Sequence, residues 1–132
     1  MTEFEKIDYL FNKGVELFNK KKFYDAHEEW EEMWSDYYLK DRLFIQGLIQ
    51  LTVSFYHLST NNIKGSKNLM ERAIKKLTSL GPNNGSWSSN IRGIYASEFI
   101  SQINVCSESL MKIQNCDEFN WNLVPSIKKI KK

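Results

Sequence analysis

The side chains of this sequence that could do chemistry are two histidines with nearby carboxylates and amides. His27 is followed one helical turn later by Glu31, and a second polar line contains Gln46, Gln50 and His57 at helical spacing. If the two lines face each other, two imidazoles, a carboxylate and two amides converge in the interior. Histidine and carboxylate are ligands for zinc, iron and manganese, and helical bundles build such sites from facing helices.

Two interpretations of this cluster follow. In the first, the chain is a metal-dependent, hydrolase-like enzyme that binds a divalent metal ion through His27, Glu31 and His57 and uses Glu28 as an acid or base. The sequence has neither Glu-x-x-His nor His-Glu-x-x-His, however. In the second, which we favour, the cluster is a hydrogen-bonded structural network without a cofactor. Arg42 would then be the cation that pairs with Glu28 or Glu31, unless it lies in solvent.

The elements that must position these side chains are predicted to be helices. Residues 43–58 are apolar nearly all round, which is typical of a central helix enclosed by its neighbours. We expect Asp41 to cap this third helix, a second helix over residues 23–37 to precede it, and Asn62 to cap a fourth that ends at Gly81 and Pro82.

The two ends of the chain complete the predicted fold. Thr2 and Glu5 have the spacing of a capping box that opens a first helix, and residues 96–113 show the apolar spacing of a fifth. Residues 83–90 are predicted to be a polar loop, and residues 121–124 an extended segment over the bundle. We therefore expect an all-α fold and a single domain over residues 1–132: a compact bundle of about five helices with an extended tail.

A faint internal repeat indicates how the helices pair. The spacing of Phe11 and Gly14 recurs at Phe44 and Gly47, and each copy is followed by a helix with a small residue near its start. These small residues are Ala26 and Ser66. The repeat predicts two helical hairpins packed face to face.

Composition limits the class of partner. A net charge of +2, with no long basic run before the last few residues, does not favour nucleic acid, and residues 43–58 are short and too polar for a membrane span. Cys106 and Cys116 lack the spacing of a zinc site, and Cys106 is expected to be an inert buried thiol. The acidic start and the many Asn, Lys and Ile residues suggest an intracellular protein, in the cytoplasm or plastid stroma, with a plastid or cyanobacterial origin.

Three motifs resemble the DUF309 family of small helical proteins of unknown function. Residues 23–34 resemble its F-x-x-A-H-E-x-x-E-x-x-W motif, residues 42–50 resemble its R-x-x-x-Q-G-L-I-Q run, and residues 61–66 resemble its G-N-x-x-G-A turn. His57 stands at the place of a later family histidine. The resemblance covers residues 11–80, and residues 91–132 would add the C-terminal helix and tail.

What the resemblance implies is a compact all-α fold and a polar cluster that would form a binding site. The motif residues in that cluster are His27, Glu28, Glu31, Arg42, Gln46, Gln50, His57 and Asn62. We therefore expect a non-enzymatic module that binds a protein or a small molecule, and we leave open whether it forms a homo-oligomer.

Overall fold

The computed structural model describes residues 1–78 and 90–130. Its five α-helices are α1 (Glu3–Asn19), α2 (Phe23–Asp36), α3 (Arg42–Ser59), α4 (Ile63–Leu77) and α5 (Ala96–Lys112). Two short antiparallel strands, β1 (Asn90–Ile91) and β2 (Ile94–Tyr95), precede α5, and two 3-10 turns follow it. The predicted all-α fold is confirmed, and the bounds of α2, α3 and α5 lie within one or two residues of the expected ones.

The helices pair as two hairpins, α1 with α2 and α3 with α4, which pack together through α2 and α3. Both hairpins turn through a residue in the left-handed region, Lys21 at φ 61° and Asn61 at φ 66°. The amide after each one donates back to the preceding helix, from Lys22 to the carbonyl of Leu17 at 2.9 Å and from Asn62 to that of His57 at 2.8 Å. The two turns are therefore the same structure.

The hairpin repeat is present, but in a different register from the predicted one. The equivalent turns are 40 positions apart, so Gly14 corresponds to Ser54 and not to Gly47. Ala26 and Ser66 still correspond. Ser54 donates through its hydroxyl to the carbonyl of Ser66 at 2.7 Å, which shows that small residues allow the second hairpin to pack closely.

Helix α3 forms the centre of the core, as its apolar character predicts. Its side chains at Phe44, Leu48, Leu51 and Phe55 are completely buried. Burial of large apolar side chains is the main source of stability in a domain of this size. The position of α3 is therefore fixed by contacts along its length.

Helices α1 and α2 approach closely where Gly14 of α1 faces Trp30 of α2. A Cβ atom added at Gly14 would lie 2.1 Å from Nε1 of Trp30, and the indole N–H of Trp30 donates to the carbonyl of Phe11 at 3.1 Å. Trp30 is completely buried. Glycine is thus required at position 14 to make room for the ring.

Two of the three predicted helix caps are confirmed. Thr2 and Glu5 form a capping box, and the side chain of Asn62 accepts from the amide of Gly65 at 2.9 Å. Asp41 occupies the N-cap position of α3 but makes no side-chain cap bond. Its carboxylate instead accepts two bonds from Arg92, at 2.6 and 2.8 Å, because a bidentate charge-assisted pair is stronger than a cap bond.

The C-terminal segment differs most from expectation. The strands β1 and β2 were not predicted, and Ile94 of β2 forms a further bridge with Lys129 of the tail. Trp121 lies in a 3-10 turn and not in an extended segment, although its ring does pack over the bundle, 6.1 Å from that of Phe23. Of the loop predicted over residues 83–90, residues 83–89 lie outside the described residues, and Asn90 belongs to β1. Helix α4 ends at Leu77, with Thr78 at the C-cap position, so the prediction that it extends to Gly81 and Pro82 is wrong.

Within residues 1–78 and 90–130, none of the helices combines the length and the apolar character that a membrane crossing requires.

Candidate binding site between the second and third helices

Helices α2 and α3 run antiparallel, and two side-chain contacts fix their register. At one end, the guanidinium of Arg42 lies 4.1 Å from the ring centroid of Trp34. At the other, the rings of Tyr24 and Tyr56 have centroids 5.4 Å apart. We call the strip between these two contacts the α2–α3 seam.

The register brings part of the predicted polar cluster together. Both helices rise about 1.5 Å per residue, so counting inward from the contact between Trp34 and Arg42 places Glu31 within one residue of the height of Gln46 and His27 within one residue of that of Gln50. Counting from Tyr24 and Tyr56 instead separates the members of each pair by three residues, about 4.5 Å along the helix axes. All four residues belong to motifs that the sequence singled out. The seam therefore carries an imidazole, a carboxylate and two amides.

Arg42 does not pair with Glu28 or Glu31 in the described part of the chain, so this prediction is wrong. Its guanidinium stacks on the ring of Trp34, and its Nη1 donates to the Trp34 carbonyl at 3.2 Å. That carbonyl is among the last four of α2, which have no partner within the helix. Arg42 thus closes the C-terminal end of α2, while Glu28 is exposed.

His27 and Glu31 form the expected pair one turn apart. The distance between Nε2 of His27 and Oε2 of Glu31 is 3.8 Å, and the side chains are 26% and 49% exposed. A pair this open to water contributes little to stability. The pair occupies the Nε2 edge of the His27 ring, while Nδ1 on the other edge is buried.

Three buried polar atoms of the seam have no hydrogen-bond partner. They are Nδ1 of His27, Nε1 of Trp34 and Oε1 of Gln50, and they are the full set of such side-chain atoms in residues 1–78 and 90–130. An unpaired buried polar group costs about 1–3 kcal/mol. The free-energy cost of these unpaired groups therefore falls on two adjacent helices, α2 and α3.

His57 lies apart from this cluster. It is seven residues beyond Gln50, about 10 Å further along α3, and its Nδ1 is 3.4 Å from the side-chain amide nitrogen of Asn62. The rings of Tyr24 and Tyr56 stand between the two imidazoles, with centroids 5.6 Å from His27 and 6.1 Å from His57. The predicted convergence of both histidines is not found.

The metal set proposed from the sequence is consequently not assembled. Among the residues that the structure describes, no group of three or more His, Cys, Asp or Glu side chains could hold a metal ion. His27 and Glu31 alone supply two ligands, whereas zinc sites use three or four protein ligands.

Sequence reasoning considered Trp34 as a stacking surface for a ligand and favoured core packing, and it missed the two tyrosines of this surface. Tyr24 and Tyr56 are 50% and 36% exposed, and together with the partly buried Trp34 they present ring faces along the seam. The available signal was the position of Tyr24 one turn before His27, at the polar edge of α2. Aromatic rings beside polar groups are suited to binding an amphipathic ligand.

In the described chain, three ionisable groups outside the seam have shifted pKa values, and the side-chain hydrogen bond from Lys20 lowers the pKa of the Glu16 carboxyl. Burial raises the pKa of the Glu29 carboxyl, and the neighbouring charges of Glu32, Glu28 and Asp25 raise it further. Burial also raises the pKa of the Cys106 thiol to about 12. Cys106 is completely buried, as its apolar stripe predicts, and the raised pKa favours the protonated, less nucleophilic thiol at neutral pH.

The fold and the seam define a class of protein: a small domain of two helical hairpins with a polar and aromatic strip between α2 and α3. Within that class, the family model for a domain of unknown function, DUF309, matches residues 11–69. This matched segment, which we call the family segment, is similar to the DUF309 family. The match contains the whole seam.

A relative in Bacillus subtilis, the uncharacterized protein YpuF, is 38% identical to this chain over 72 residues. The match covers 54% of this chain and 39% of YpuF, so the chain matches well under half of that relative's length. Neither comparison bears on cellular compartment or on a plastid or cyanobacterial origin, which stay predictions.

Proposed function

We propose that this domain is a non-enzymatic binding module and that it recognises an amide-bearing ligand, either a protein segment or a small molecule, through the α2–α3 seam. The observation that supports the proposal is the set of three unpaired buried atoms at His27, Trp34 and Gln50. All three lie within the family segment. Buried polar groups without partners are rare, and a cluster of them calls for an explanation.

The chemistry of these atoms suggests the ligand. Trp34 offers an N–H donor and Gln50 offers a carbonyl acceptor, and an amide group carries the complement of both. A peptide backbone presents such a group in every residue. The exposed faces of Tyr24 and Tyr56 would pack against the apolar part of the ligand.

Arg42 is the side chain that must move when the ligand binds. The three atoms are covered, and the guanidinium of Arg42 lies directly over the Trp34 ring. Lifting the guanidinium would uncover the ring and its N–H. It would also free a cation that could pair with an acidic group of the ligand.

Affinity capture from the native host, followed by calorimetric titration of the captured partner, tests the proposal. Trp34→Phe removes the N–H and keeps most of the ring, and Gln50→Leu removes the carbonyl. Each should weaken binding about 5- to 10-fold, the effect of losing one hydrogen bond. Gln102→Leu, at an exposed position of α5, is the matched control and should bind like the wild type. A partner that binds all four proteins equally would refute the proposal.

The metal-dependent enzyme stays a separate prediction, and elemental analysis distinguishes it. We expect protein purified without chelator to contain no stoichiometric divalent metal. A stoichiometric metal ion that is lost in the His57→Ala variant would contradict the binding module and support the metal site of His27, Glu31 and His57. A His27→Ala variant that is merely less stable, with no metal in either protein, would eliminate the enzyme.

A further inference from the structure

A second surface, lined by residues other than those of the seam, has the features of a docking site. A pocket of about 540 Å³ lies where the first turns of α1 meet the loop between α2 and α3. Its buried side chains include Ile7 and Leu39, which are 8% and 4% exposed. Phe4 and Tyr38 also line it and are 81% and 82% exposed, more than any other large apolar residue in the described chain.

One wall of this pocket is held in place before any partner binds. Arg92 lines it, and the two bonds between its guanidinium and Asp41 hold it in place. The pair is largely shielded from water, with side chains 21% and 16% exposed. A preformed wall lowers the ordering cost of binding.

The charges around the pocket have opposite signs on its two sides. Glu3 and Asp8 belong to α1, whereas Lys40 belongs to the facing loop. The ion pairs found in the described residues involve none of these three groups. The surface that best complements an acidic side and a basic side of this kind is a second copy of the same surface, turned through a two-fold axis.

We propose that two copies of this chain form a two-fold dimer through this pocket. The ring of Phe4 from each copy enters the pocket of the other, beside Tyr38 and Leu39. Lys40 of each copy faces Glu3 and Asp8 of the other. A two-fold interface is self-complementary by construction, so every contact occurs twice. The dimer uses other residues than the seam and does not depend on the proposed binding function.

Sedimentation equilibrium of the full chain, from about 1 to about 500 μM, tests the dimer. The wild type should pass from the monomer mass of 15.6 kDa to twice that mass as concentration rises. Phe4→Glu should remain a monomer throughout. The matched control is Val105→Glu, an equivalent change at a 55% exposed position of α5, and it should dimerise like the wild type. Circular dichroism verifies that each variant is folded.

A charge swap is the sharper test. Lys40→Glu alone and Asp8→Lys alone should each raise the dissociation constant at least about tenfold, because reversal replaces attraction by repulsion and each pair occurs twice. The double variant should return to within about threefold of the wild type, since the attraction is restored with the signs exchanged. A wild type that stays monomeric, equal effects of Phe4→Glu and Val105→Glu, or a double variant worse than either single variant would each overturn the proposal.

Discussion

Replacing Gln50 by leucine should stabilise the protein. Its Oε1 is buried without a partner, an arrangement that costs about 1–3 kcal/mol. Leucine has a similar volume and a similar helix propensity, so neither packing nor the helix itself should oppose the change. Because the side chain is only partly buried and its amide nitrogen keeps access to water, we expect a net gain of about 1 kcal/mol.

Denaturation by urea and by heat measures this gain. The midpoint should rise with an unchanged slope, and the melting temperature should rise by roughly 3–6 °C for a chain of this length. Gln102→Leu supplies the control, because that side chain is exposed on α5 and its replacement should change stability by less than about 0.5 kcal/mol. If the same Gln50→Leu variant also binds its partner more weakly, stability and function are in conflict at this position, as is common in binding sites.

A lower midpoint for Gln50→Leu would refute the reasoning. It would mean that Oε1 accepts a hydrogen bond in solution and that the amide belongs to a satisfied structural network. The network interpretation of the sequence would then be correct, and the proposed function would lose the observation that supports it. An unchanged midpoint would place the carbonyl in contact with water, with the same consequence for the proposal.

Three further changes test other parts of the structure by thermal denaturation. Gly14→Ala should cost about 3 kcal/mol because the new Cβ would lie 2.1 Å from Nε1 of Trp30, and adding Trp30→Phe should make the double variant less destabilised than the sum of the single ones. Glu29→Gln should raise stability at pH 7 by about 0.2–0.5 kcal/mol for each like-charge neighbour it relieves. Since the pKa of Glu29 is raised above 4.5, the folded wild type takes up a proton more readily, so this gain should shrink as pH falls through the raised pKa toward 4.5. Arg92→Lys should cost about 1 kcal/mol, because lysine cannot make both bonds to the carboxylate; no loss would show that the pair is unimportant in solution.

The sequence predicted the helices well because each one carries its own periodic apolar pattern. The caps at Thr2 and Asn62 could also be predicted, since a cap depends only on residues three positions apart. The side chain of Asp41 could not, because its partner Arg92 is 51 positions away. Local signals predict local structure, and a distant partner of higher strength overrides them.

The candidate site was predicted in composition but not in arrangement. Helical spacing gives the face on which a side chain lies, and it placed Gln46, Gln50 and His57 correctly on one line. It does not give the height at which a neighbouring helix crosses that line. That height is set by packing between α2 and α3. It places His27 within about three residues of the height of Gln50, while His57 lies about 10 Å beyond Gln50 along α3.

The two strands before α5 could not be predicted for a different reason, which is their length. Each has only two residues, which is too short for an alternating pattern to be visible. The one available signal was the pair Arg92 and Gly93, whose φ angles of 53° and 78° form a two-residue hairpin turn. Glycine is common in such turns and arginine is not, so only half of the usual sequence signature of this turn is present.

The seam differs from the rest of the described chain, where buried polar side chains are hydrogen-bonded. Thr52 donates to the carbonyl of Ile49 at 2.7 Å, Ser54 bonds to Ser66, and Trp30 donates to Phe11. Folding alone therefore suffices to satisfy buried hydroxyls and an indole N–H in this protein. In residues 1–78 and 90–130, three buried polar side-chain atoms have no hydrogen-bond partner. All three lie on α2 and α3, within the family segment. Buried polar groups without partners are expected at functional sites. The location of all three such atoms on two adjacent helices supports binding at the seam more strongly than any one of the atoms does.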